Sequence, residues 1–241
     1  MGKMTIPNLA GKIFLIGVVV FLLSCRFRTS NPERGVKTGG IYFDYKIKGE
    51  EKDGKVTVYL QFKEGGPNGP SLILNDPAKV ELDGHAIDRD NAKVTGAYYE
   101  IQRSADSFEG KHIIVFTDLD EKKYNEEFQY HPFGLQKEIP AIINRGDIMF
   151  DLKGVKNMDA IRVAATDTSF ASRDINEIDT VRNGKLILAD SKLKSLVDGP
   201  IILMLSKETD EPIRNATKGG GRIVIDYGLQ REFELRSSAS Q

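Results

Sequence analysis

Beyond residue 40, apolar and polar residues alternate with period two through most of the chain. This is the pattern of strands that bury one face. Ile41, Phe43, Tyr45 and Ile47 share one face of the first stretch, and Val56, Val58, Leu60 and Phe62 share one face of the second. Asp53-Gly54 between them marks a hairpin-like connection. Leu72 to Leu74 is a short apolar run, and Val80 to Ile87 reads as two short strands around the Asp83-Gly84 turn. Ala97, Tyr99 and Ile101 alternate. His112 to Thr117 is nearly all apolar and β-branched, which fits a central strand. Glu127 to Tyr130 closes this half.

Pro132, Gly134, Lys137-Glu138 and Pro140 then interrupt the pattern. It resumes with Ile148, Phe150 and Leu152, then Ile161, Val163 and Ala165. Gly184 to Ala189 is a further strand, and Ser191 to Val197 suits one helical turn. Ile201 to Leu205 reads as a buried strand. Ile223, Ile225 and Tyr227, then Phe233 and Leu235, finish the fold before a polar tail. Phe108-Glu109-Gly110 and Val197-Asp198-Gly199 rhyme: apolar, acidic, Gly, then the most apolar strand of each half. The pattern predicts an all-β body. Two tandem immunoglobulin-like sandwich domains, residues 41–133 and 140–236, are favoured over a single barrel.

The first 24 residues have a different character. Lys3 and Lys12 precede an apolar run from Ile13 to Leu23, 11 residues long. A bilayer-spanning helix needs about 20 residues, so the run fits the core of a secretory signal. It ends Leu22-Leu23-Ser24-Cys25. This resembles the lipobox of bacterial lipoproteins, in which Leu, a tolerant position, a small residue and Cys follow in order. The resemblance implies cleavage before Cys25 and a diacylglycerol on its thiol. One acyl chain holds a membrane marginally, whereas two or three hold it stably. Residues 25–40 are rich in Arg, Ser, Asn, Pro and Gly and read as a tether. Arg26, where inner-membrane retention often uses Asp, points to the outer membrane. The layout also resembles the small exported β-sandwich lipoproteins of Bacteroidetes-type bacteria, which implies no site residues.

Composition narrows the chemistry. Cys25 is the only cysteine, so the body has no disulfide and no cysteine metal site. Lys and Arg total 34 against 35 Asp and Glu, which gives no field to attract nucleic acid. No Trp is present, so an aromatic sugar platform would fall to Tyr or Phe, among them Tyr98, Tyr99, Tyr124 and Tyr130. His85, His112 and His131 lie in separate elements without metal-ligand spacing and read as structural. Asp118, Asp120 and Glu121, and Asp88, Asp90 and Asn91, are acidic turns that lack the Gly and ligand count of a calcium loop. Gly219-Gly220-Gly221-Arg222 lacks a phosphate-loop ending and reads as a turn, and no Gly-x-Ser-x-Gly elbow occurs.

The sequence therefore assigns no catalytic, metal or cofactor residue, and lipidation falls to Cys25. The expected protein is a non-enzymatic envelope module, held to the membrane by its lipid, with an envelope protein or glycan as partner. The alternatives are an exported enzyme acting on polysaccharide or peptide through paired carboxylates and a calcium-dependent adhesion module.

Overall fold

The computed structural model describes residues 40–92, 96–169 and 172–237. The leader, Cys25 and the tether as far as residue 39 lie outside the described residues. The body is all-β. Its first half holds β1 (Ile41–Glu50), β2 (Lys55–Glu64), β3 (Lys79–Leu82), β4 (His85–Ala86), β5 (Arg89–Ala92), β6 (Gly96–Ser104), β7 (Gly110–Thr117) and β8 (Lys123–Tyr130). The second half holds β9 (Gly134–Leu135), β10 (Ile142–Asn144), β11 (Ile148–Lys153), β12 (Ala160–Asp167), β13 (Ile175–Thr180), β14 (Lys185–Leu188), β15 (Gly199–Pro212) and β16 (Gly221–Arg236). One helical turn, α1 (Asp190–Leu193), precedes β15.

Three sheets form. The large one runs β13-β12-β15-β16-β1-β2-β6-β5, with β10 also on β16. A four-stranded sheet runs β4-β3-β7-β8, and a three-stranded sheet runs β14-β11-β9. The four-stranded sheet packs across the first half of the large sheet through rings. Phe116 lies 5.2 Å from Phe43 and 4.8 Å from Phe62, and Tyr124 lies 6.0 Å from Phe43. In the second half Phe150, Leu152, Leu186 and Leu188 join the same buried cluster as Ile161, Val163, Leu203 and Leu205. Each half thus contributes a small sheet and part of the large one.

The halves are joined by one long strand. β16 pairs in parallel with β1 from Phe43↔Gly221 to Glu50↔Gly228, and antiparallel with β15 along nearly its whole length. The period-two pattern suggests two separate strands, Ile223–Tyr227 and Phe233–Leu235. They are one continuous strand because β15 supplies partners throughout, including the polar run from Lys207 to Glu211. Arg231 adds a second tie, reaching Glu51 at 2.5 Å and Glu138 at 2.7 Å.

The turn glycines act as their sequence context requires. Asp83 (φ 50°) and Gly84 (φ 80°) both take left-handed backbone, as a two-residue hairpin demands. At Gly221 a Cβ would stand 2.8 Å from Phe43, so only glycine lets β16 start against β1.

On the outer face of the large sheet Asp44 is buried, with Lys63 at 2.6 Å and Arg222 at 3.2 Å. Burial alone would push its carboxyl up. The Lys63 ammonium and Arg222 guanidinium outweigh burial and hold it below the ordinary aspartate value. The unfolded chain, with an aspartate pKa of about 3.9, therefore takes up this proton first. The stability from Asp44 is present above about pH 4 and is lost as pH falls towards the folded value. Urea midpoints measured at pH 5 and pH 3 should accordingly drop further for the wild type than for Asp44→Asn. Equal drops would show that the pair contributes nothing to acid sensitivity.

Candidate functional site

The two small sheets are not hydrogen-bonded to each other. Between them, above the large sheet, lies a cleft of about 640 Å³, within the range of ligand sites. Its lining shows how it is built. From β15 come Lys207, Thr209 and Glu211, and from β16 come Tyr227, Ile225 and Ile223. These are alternate residues, so they display one sheet face. They are also direct cross-strand partners: Lys207↔Tyr227, Thr209↔Ile225 and Glu211↔Ile223. They form the floor.

One wall is different. Residues Glu126 to Pro132 line the cleft in unbroken succession. Alternate strand residues point to opposite faces, so a consecutive run meets the cleft with the edge of the strand. β8 is indeed the last strand of its sheet. Gly154 to Lys156, just after β11, form the opposite wall.

Several charged groups of the cleft have partners in or beside it. Lys111 reaches Glu127 at 2.7 Å, and Lys207 reaches Asp159 at 2.5 Å. Glu126 is buried on the apolar face of β8, where its carboxylate accepts a hydrogen bond from the Arg214 backbone N–H at 2.9 Å. Arg214 in turn approaches Glu211 at 4.0 Å, and His131 approaches Glu109 at 3.8 Å. Tyr130 ends β8, wholly buried, with its hydroxyl unpaired among the described residues. Burial pushes that hydroxyl well up, with Tyr227 and Asp226 adding to it.

The residues singled out by sequence scatter. His131 and Tyr130 reach the cleft. His112 stacks on Phe108 at 3.8 Å, with its ring nitrogens 2.7 Å from the Asp83 carboxylate and 2.8 Å from the Phe108 carbonyl. His85 is exposed beside the Asp83 carbonyl. Asp118 turns inward and accepts from the N–H groups of Asp120 and Lys122, so it caps the β7–β8 turn. No group of three His, Cys, Asp or Glu among the described residues is placed to hold a metal ion. Tyr98 and Tyr99 face opposite ways: Tyr99 is buried and accepts from the Leu74 N–H, while Tyr98 stacks on Tyr59 at 4.9 Å. Gly219 and Gly220 end the β15–β16 connection and Gly221 opens β16, with Gly219 and Gly221 laid against β1.

Sequence reasoning found Ile223, Ile225 and Tyr227 as one strand face but missed the β15 half of the floor and the far wall. The alternation that marks Ile201 to Leu205 does not reach Lys207 to Glu211, and only their pairing with β16 makes them a sheet face. Glu126 was the available signal: a carboxylate on the face that Tyr124, Phe128 and Tyr130 mark as buried.

No family model matches the chain, and no curated protein does either. Solved structures give partial similarity. One is described as structural insight into host cell surface retention of a 1.5-MDa bacterial ice-binding adhesin, at 10% identity over 85% of this chain and 67% of that one, TM-score 0.26. Another is Dpr11 IG1 bound to DIP-gamma IG+IG2, at 9% identity over 82% and 98%, TM-score 0.24. A third is the Bacteroides ovatus mixed-linkage glucan utilization locus SGBP-B with a mixed-linkage heptasaccharide, at 13% identity over 72% and 54%, TM-score 0.21.

Proposed function

We propose that the chain is a non-enzymatic envelope module, lipid-anchored through Cys25 at the outer membrane, that binds a partner in the cleft between its small sheets. The observation that carries the reading is the cleft itself: a sheet face beside a strand edge that pairs with no further strand among the described residues. On the floor the partly buried Ile225 supplies apolar contact, and the exposed Thr209 and Glu211 supply polar contact. An enzyme acting on polysaccharide or peptide needs carboxylates free to exchange protons with substrate. Here Glu127 is held by Lys111 and Glu126 by the Arg214 N–H. Pairing of this kind suits recognition better than proton transfer.

Thr209 is exposed on the cleft floor, so Thr209→Trp fills the cleft without entering the core. Surface substitutions of this sort stay within about 0.5 kcal/mol. The full chain, purified in detergent and immobilised, should retain envelope material that Thr209→Trp loses, at unchanged melting temperature. Equal retention by both proteins, or none by either, would refute the cleft as a binding site.

A further inference from the structure

β8 is the longest edge strand among the described residues, with eight residues against six for β13, four for β5 and β14, three for β10 and two for β4 and β9. Natural proteins shorten, bulge or cover long edges, because an open edge is a template for another strand. β8 carries the inward-pointing Glu126 and the exposed Lys123 and Glu127 but no proline, no further strand pairs with it among the described residues, and the cleft runs along it.

The ladder shows which groups it offers. In an antiparallel pair the hydrogen-bonded positions alternate. The Asp118 N–H donates to the Lys122 carbonyl at 3.0 Å, which fixes the phase. Counting on by two, Tyr124, Glu126, Phe128 and Tyr130 bond to β7. On the other side of β7, the Asp83 N–H donates to the Ile113 carbonyl, the phase this assignment requires. The backbone N–H and C=O groups of Asn125, Glu127 and Gln129 therefore point away from the sheet. Those of Glu127 and Gln129 face the cleft, one strand repeat apart, roughly 6.8 Å.

We propose that an extended peptide segment of another protein adds to the β8 edge as a fifth strand of the four-stranded sheet. The inference rests on the cleft being the binding site and names the chemistry that fills it. A strand laid beside β8, about 4.8 Å away, extends that sheet over the β15–β16 floor. Its inward side chains meet Ile225, Tyr227 and Thr209, and its outward ones meet solvent. The geometry selects a peptide of alternating apolar and polar residues, bound by main-chain hydrogen bonds. A sugar chain offers no matching row of alternating donors and acceptors.

The test uses the full chain in detergent and a displayed library of linear ten-residue peptides. Selected binders should alternate apolar and polar residues. N-methylation of alternate peptide amides in one register should weaken binding about tenfold or more, and in the other register leave Kd within about threefold. Gln129→Pro removes only an outward N–H, which edge positions tolerate. It should keep the melting temperature and weaken the peptides about tenfold, while Gln129→Ala stays within about twofold. If Gln129→Pro fails to fold, the two N-methyl registers decide alone.

Equal losses in both registers, or no peptide that depends on the β8 edge, would overturn strand addition. So would oligosaccharides that compete for the cleft, or dimers of this chain that Gln129→Pro disrupts. In each of those cases retention of envelope material that Thr209→Trp abolishes would leave the binding cleft standing, so the two claims fail separately.

Discussion

Cys25→Ser should empty the membrane fraction of this protein, or leave the leader uncleaved on a longer precursor. The expectation follows from the sequence Leu22-Leu23-Ser24-Cys25 after an 11-residue apolar run. Each buried methylene of an acyl chain contributes about 0.8 kcal/mol, so two or three chains give an anchor that no surface contact of the body replaces. Serine keeps the size of the side chain and removes the thiolate nucleophile. No other cysteine exists to take over. Fractionation with a mobility assay reads both outcomes. A Ser variant that is processed normally and stays with the membrane would refute lipid anchoring. Among the described residues no helix is long and apolar enough to cross a membrane.

The second large effect concerns Gly49, on β1 between β2 and β16. A Cβ there would stand 1.9 Å from the Tyr130 hydroxyl oxygen, 3.1 Å from Tyr130 Cζ and 3.1 Å from Tyr227 Cδ2. Tyr130 is wholly buried, with its ring packed against Phe108 and Tyr227. Gly49→Ala should therefore cost about 3 kcal/mol through overpacking, a fall of roughly 10 °C in melting temperature. Tyr130→Phe makes the opposite case. The hydroxyl has no partner among the described residues, so its removal should leave stability unchanged or raise it slightly. In the double variant the loss of the hydroxyl relieves the nearest contact, and about half the Gly49→Ala loss should return, a coupling of about 1–2 kcal/mol. Additive losses would show that the hydroxyl is not what a Cβ at position 49 meets, and a Tyr130→Phe variant destabilised by more than about 1 kcal/mol would show that the hydroxyl is held by a partner.

Much of the fold was legible because period-two alternation is a local signal. The faces formed by Ile41 to Ile47, Val56 to Phe62 and Ile148 to Leu152 are the buried faces observed, and Asp83-Gly84 makes the hairpin turn its chemistry specifies. Pairing between distant strands has no such signal. Nothing near Phe43 announces a parallel partner at Gly221, and that pairing is what runs one sheet through both halves. β13 was missed because its exposed Ile178 and half-buried polar residues do not alternate cleanly. The cleft was out of reach for the same reason. It gathers the β8 edge, the residues after β11 and the polar end of the β15–β16 pair, and none of these is unusual alone. The open edge of β8 is a property of what fails to pair with it, which a single strand's sequence does not encode.

The most direct test of the cleft as the binding site is photo-crosslinking in cells that make the protein. A photoreactive residue in place of Gln129 sits on the cleft wall, and one in place of Met149 sits exposed on the outside of the three-stranded sheet. Illumination should give a discrete adduct from position 129 and none from position 149. No adduct from position 129, or the same adduct from both positions, would contradict the assignment of the cleft.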